Sequence, residues 1–108
     1  MGRELLGELE HQVLLAVLRL DAEAYTAPIV TELEERTGRP TTLAAVYIVL
    51  RRLEEKGLVR SVLREADEGS RERRYFSVTP EGIERVLDAR VSYDRLWEGL
   101  EGLRERGA

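Results

Sequence analysis

The chain has 108 residues, 35% of them charged, a formal net charge of −4 and no cysteine. That length supports one domain with a modest core, to which a partner subunit would add buried area, and the missing cysteine excludes disulfides, thiolate metal sites and cysteine nucleophiles. Only residues 41–80 carry more Lys and Arg than acid, eight against six, so a polyanion would be met by a local surface and not by the overall charge. No apolar run nears the ~20 residues that span a bilayer, and MGRELLGELEHQ lacks the apolar stretch of a signal peptide. These features predict a cytoplasmic protein that does not enter membranes.

The first helix is predicted from Glu8 to Leu20, with Leu9, Val13, Ala16, Val17 and Leu20 facing the core. Leu14 and Leu18 read as a second apolar face on nearly the opposite side, which in so small a protein calls for a second chain. Asp21 to Glu23 is a polar connection. Thr26 is expected to cap a second helix with Pro28 in its first turn and Ile29, Val30 and Leu33 inward, ending near Gly38 before Pro40. A third helix begins at its cap Thr42 and stops at Gly57. Leu43, Val46, Leu50 and Leu53 share its inner face, which leaves Ala44, Ile48, Arg51 and Glu55 outside.

Beyond Gly57 the pattern changes to short runs rich in Val, Tyr, Phe and Thr around the turn-prone Asp67, Glu68, Gly69 and Ser70, a hairpin signature. Alternation puts Arg74, Phe76 and Val78 on one side, with Phe76 and Val78 as core, and Arg73, Tyr75 and Ser77 on the other. Thr79 and Pro80 start a last helix, with Glu81 at the positive end of its dipole. The apolar positions Ile83, Val86, Leu87, Val91, Trp97, Leu100 and Leu103 predict about 25 residues, near 37 Å, more than a small core covers. The expected fold is mainly α with a two-stranded β wing: a winged helix-turn-helix over residues 1–79 and a long C-terminal dimerisation helix over residues 80–108.

Catalytic chemistry has little to stand on. His11 is the only histidine and reads as an interface bystander on the flank of Leu14 and Leu18. The carboxylates sit among Arg and Lys on polar helix faces, and neither a phosphate-cradling glycine loop nor a metal-ligand spacing is present. No cofactor and no metal are expected.

Nucleic acid is better supported. Arg51 and Arg52 can meet a base edge and a phosphate, or pair with Glu54 and Glu55. Ala44 and Ile48 favour DNA, since an exposed isoleucine gains nothing in water and gains apolar contact against a thymine methyl. Thr41, Thr42 and Tyr47 offer hydroxyls to phosphates that fix register, and Arg71, Arg73 and Arg74 cluster in the wing, where Asp67, Glu68 and Glu72 weaken their field. Two rivals stand beside this reading. A winged-helix protein-interaction module fits the acidic charge, and a small enzyme on the same fold is opposed by the missing Cys and the isolated His. Trp97 reads either as an interface anchor or, with Tyr93, Asp94, Leu14 and Leu18, as a site for a planar aromatic effector at a two-fold axis.

LGELEHQVLLAVL, AYTAPIVTELEERTG, TLAAVYIVLRRLEEKGLV and RRYFSVTPEG, in that order and spacing, resemble the PadR family of bacterial transcriptional regulators over nearly the whole chain. Tyr75 and Phe76 stand where the family usually has paired tyrosines, and Thr26 and Pro28 depart from its usual residues. The resemblance implies a winged helix-turn-helix, homodimerisation of the last helix on the partner's first, and repression released by a small molecule, with phenolic acids and other planar aromatics as the family's effector class; a two-fold dimer would call for a pseudo-palindromic operator. With a single C-terminal helix the chain is similar to the family's short subgroup.

Overall fold

The Gly7 N–H donates to Glu10 Oε1 at 2.9 Å and so ties down the entry to the first helix. In the computed structural model, which describes residues 5–67, 69 and 71–107, α1 runs Glu8–Leu20. Its buried residues are Glu10, Val13, Leu14, Ala16 and Val17, an arc wider than one stripe because α1 meets several other elements at once. Leu14 is consequently core, 0% exposed, which corrects its assignment to a second face: one residue from Val13 it turns only 100°, and the many-sided core covers that flank. The outward apolar residues of α1 are Leu15 and Leu18.

A 3-10 turn, Asp21–Glu23, leads to α2, Thr26–Thr37. Thr26 does not cap it. The extended residue at the cap position is Tyr25, which makes no side-chain cap bond, and Thr26 is already helical. Pro28 falls in the first turn, where its missing N–H costs little, while Ile29 and Leu33 are buried. Gly38 closes the helix with φ 71°, its N–H donating to the Glu34 carbonyl at 2.9 Å.

Thr42 caps α3, Leu43–Glu55, accepting from the Ala45 N–H at 3.0 Å. The buried side is Val46, Val49, Leu50 and Leu53. Leu43 shares that side by angle yet is 56% exposed, because it stands at the end of the helix where the face runs past the core. After Gly57, at φ 76°, the Leu58 N–H returns to the Leu53 carbonyl at 2.9 Å.

The sheet consists of β1, Val59–Glu65, and β2, Glu72–Val78, antiparallel from Val59↔Val78 to Glu65↔Glu72. Glu68 and Ser70 of the expected turn lie outside the described residues. Beyond the hairpin's own pairing, the Phe76 N–H donates to the Ala24 carbonyl at 2.8 Å and fastens the wing to the α1–α2 connection.

Thr79 caps α4, Pro80–Trp97. Its hydroxyl accepts from the Gly82 N–H at 3.1 Å and donates to the Gly57 carbonyl at 2.7 Å, while its own N–H donates to the Leu58 carbonyl at 3.0 Å. Gly82 is required at this crossing: a Cβ there would come within 2.2 Å of the Leu58 carbonyl oxygen. The helix is shorter than its apolar period suggested. It spans 18 residues, roughly 27 Å, then breaks at Gly99 and Gly102, φ 80° and 77°, before the short α5, Leu103–Arg106. Leu100 and Leu103 keep the helical spacing, but two glycines in five residues remove the backbone preference that would carry a helix through them.

Glu10 is buried and paired with Lys56 Nζ at 2.7 Å, a contact across 46 residues that joins α1 to the end of α3. Burial pushes its carboxyl up, but the Lys56 and Gly7 hydrogen bonds and the charges of Lys56 and Arg52 outweigh it and leave it below the ordinary value of 4.5. A depressed carboxylate contributes stability that is present above the ordinary carboxylate range and is lost as pH falls through its folded value. Glu10→Ala should therefore cost about 2 kcal/mol near neutral pH. In urea melts the gap between wild type and variant should close on acidification below the usual carboxylate range.

Candidate nucleic-acid interface

The geometry of α2, the connecting residues 38–42 and α3 follows from three local devices. Gly38 turns the chain, Thr42 caps α3, and the Thr41 N–H donates to Glu34 Oε2 at 3.1 Å, which holds the connection against α2. With Val46, Val49, Leu50 and Leu53 fixed in the core, α3 turns Leu43, Ala44, Tyr47, Ile48 and Arg51 outward, all exposed. The Thr42 hydroxyl is engaged as the cap.

The wing stands beside this face. Tyr25, Thr26, Ala27, Leu43, Ala44, Tyr47, Arg73 and Arg74 line one cleft of about 500 Å3. Of the residues singled out in the sequence, the cleft gathers Ala44, Tyr47, Arg73 and Arg74, with Ile48 and Arg51 on the following turns of the same helix face. Thr41 and Thr42 stand at the start of that helix. Arg71 is exposed just before β2, and Arg52 acts electrostatically on Glu10; neither lines the cleft.

Two polar linkages set the arginines. Arg51 Nη1 lies 3.1 Å from Glu54 Oε1, and the other Glu54 oxygen accepts from Ser61 Oγ at 2.6 Å. Arg74 Nη1 donates to the same Ser61 hydroxyl at 2.9 Å. Glu54 and Ser61 thus connect a helix arginine to a wing arginine.

The sequence missed Tyr25 and misplaced Tyr75. Strand alternation sends Tyr75 outward, yet it is buried because Tyr25 and Arg64 cover the outer side of β2 at this position. Its ring meets Tyr25 edge-on with centroids 5.4 Å apart, and the Arg64 guanidinium lies 3.7 Å from its centre. Arg64 is itself held by the Ala22 carbonyl at 2.6 Å. Arg73 covers the Tyr25 ring at 4.3 Å, and hydrogen bonding to Tyr75 raises its guanidinium further above the ordinary arginine value. The stack Arg64, Tyr75, Tyr25, Arg73 connects residues up to 50 positions apart; the only trace of it in the sequence is the basic-aromatic composition of β2.

Between α1 and α4 lies a groove of about 770 Å3, lined among others by Leu5, His11, Leu15, Ser92, Tyr93 and Leu96. Burial lowers the His11 pKa, which favours the neutral ring. Of the five residues considered for an effector, only Tyr93 lines this groove. Leu14 is sealed in the core, which removes it from any such site, and Leu18, Asp94 and Trp97 are exposed elsewhere, Trp97 to 57%. Among the described residues no group of His, Cys, Asp or Glu could hold a metal ion, and no helix is long and apolar enough to cross a membrane.

The family model described as "Transcriptional regulator PadR-like family" matches residues 14–88. Among solved structures, a PadR family transcriptional regulator from Eggerthella lenta is similar at a TM-score of 0.65 and 30% identity, over 88% of this chain and 85% of that one. A PadR-like transcription factor from Bacteroides fragilis is similar at 0.69 and 25% identity, over 88% of each chain. A PadR family transcription regulator from Clostridium difficile has the same fold, at 0.73 and 19% identity over 90% and 98%. No curated protein matches the chain.

The ring stack should be measurable without any ligand. Tyr25→Leu removes the edge contact to Tyr75 and the ring under Arg73, and should cost about 1–2 kcal/mol in denaturant unfolding. Tyr25→Phe keeps both and should stay within about 0.5 kcal/mol of wild type.

Proposed function

The chain belongs to the PadR-like family of transcriptional regulators, and on that footing we propose that it binds operator DNA as a homodimer and represses transcription by occupying promoter DNA. The family is one of regulators and not of enzymes. The observation that carries the DNA reading is the placement of the exposed α3 face beside Arg73 and Arg74 in one cleft. An α-helix presenting such a face fits the major groove, and guanidinium groups on the flanking wing suit the phosphates beside it. Residues 1–79 would form the DNA-binding part and residues 80–108 the dimerisation part. For a two-fold dimer the operator is a pseudo-palindrome, with half-sites about one helical turn or a multiple of it apart.

A protein-interaction module is the weaker reading, because the positive groups and the outward helix face coincide. Arg51→Ala should weaken specific binding by about 1–3 kcal/mol, while Arg73→Ala should weaken binding to all sequences alike and lower the salt slope by about one unit. Mobility-shift titrations at two salt concentrations distinguish them. Equal, salt-independent losses would remove the assignment of α3 to the bases and of the wing to the phosphates.

The dimer reading is supported by apolar surface that one chain leaves uncovered. On α4, Ile83, Leu87 and Val91 form an exposed stripe at spacings of four, and Leu15 and Leu18 are exposed on α1. A planar aromatic effector that releases the DNA suits the α1–α4 groove, where Tyr93 offers a ring, better than the open surface at Trp97. Leu87→Glu places a charge on the stripe without touching the core. Light scattering should show a dimer for wild type and a folded monomer for Leu87→Glu; an unchanged dimer would place the interface elsewhere.

A further inference from the structure

The outward face of α3 is unusual in what it lacks. From Thr42 to Leu50 it contains no Asn, Gln, Lys or Arg, the side chains able to bond two edge atoms of a purine at once. It presents Leu43, Ala44, Tyr47 and Ile48, with Ile48 57% exposed. None of the four belongs to the buried core, which Val46, Val49, Leu50 and Leu53 supply from the same helix. The first residue capable of a two-pronged base contact is Arg51, and Glu54 already engages it at 3.1 Å, with Glu54 tied in turn to Ser61.

The surroundings indicate what covers this strip. Arg73 and Arg74 line the same cleft as Leu43, Ala44 and Tyr47, and the Arg73 guanidinium lies over the Tyr25 ring at 4.3 Å. An apolar strip bordered by positive charge is complementary to a duplex whose phosphates lie at the rim and whose groove floor carries methyl groups. In the major groove only thymine offers such a methyl among the four ordinary bases.

We propose that this protein reads its operator chiefly through thymine 5-methyl groups packed against Ala44 and Ile48 and flanked by Leu43 and Tyr47, with Arg51 as the one two-pronged polar contact. This rests on the reading of α3 as the helix that enters the major groove. Discrimination then follows the pattern of methyl groups along the groove floor, and each contact contributes modestly, since burying one methyl is worth about as much as one CH2 group.

The test separates this inference from the DNA reading beneath it. The full chain is used to select duplexes from a randomised library, and in the recovered duplex each thymine is replaced singly by deoxyuridine, which removes the methyl and leaves pairing and charge unchanged. At least two positions in each half-site should lose affinity, by roughly three- to fivefold each. Ile48→Ala, a change at an exposed position, should abolish the loss at one of those positions while leaving the fold intact by circular dichroism. A fully uracil-substituted duplex that binds as tightly as the original, while base-pair changes at the same positions still weaken binding, would overturn the methyl reading and leave DNA binding standing. Losses that persist unchanged in Ile48→Ala and in Leu43→Ala would assign the effect to the duplex and overturn it as well. If no duplex is enriched or bound, both this inference and the DNA reading fail.

Discussion

The arrangement of helix, wing and C-terminal helix depends on one hydroxyl. Thr79 Oγ1 donates to the Gly57 carbonyl where α3 ends and accepts from Gly82 where α4 begins, and the Thr79 amide closes on Leu58. A hydroxyl can donate once and accept twice, so this single group satisfies the carbonyl of the turn that follows one helix and an amide left open by the next. The crossing is close enough that only glycine fits at position 82. Moving it would shift the root of the wing relative to α3, and with it the distance between Arg73 and the outward helix face.

From that root the wing is held at two further places. Ser61 and Glu54 connect its inner face to α3, and the Tyr25–Tyr75 contact with the Phe76 to Ala24 hydrogen bond connects it to the start of α2. A two-stranded hairpin alone is marginal in water, so these attachments make it a fixed element. The arginines of the cleft are therefore largely pre-positioned, which limits the side-chain entropy lost when an anion arrives. It also suits an acidic chain: with a net charge of −4, attraction to DNA would have to come from a few well-placed guanidinium groups, and it would be salt-sensitive and modest away from the right sequence.

The two ends of the molecule serve different needs. The α3–wing side brings guanidinium groups beside the exposed strip of α3, whereas the α1 and α4 side carries apolar residues that the single chain leaves in water. In a 108-residue protein such surface is a large share of the whole, and a second copy is the economical way to bury it.

Much of this was legible in the amino-acid sequence, because much of it is local. The span of α1, the caps at Thr42 and Thr79, the stops at Gly38 and Gly57 and the outward Ala44, Ile48 and Arg51 all follow from helical period and from residues that satisfy helix ends. The family resemblance lies in the same segments. Tertiary structure decided the rest, wherever a residue's environment comes from distant chain. Leu14 is core because α1 is covered on several sides, Tyr75 is buried because Arg64 and Tyr25 cover the second side of β2, and Glu10 finds Lys56 across 46 residues. Thr26 yields the cap position to Tyr25, and α4 stops at Trp97 although its apolar period continues. Periodicity reports which residues share a face, but only packing determines how many faces are covered, and that is set by contacts no local pattern encodes.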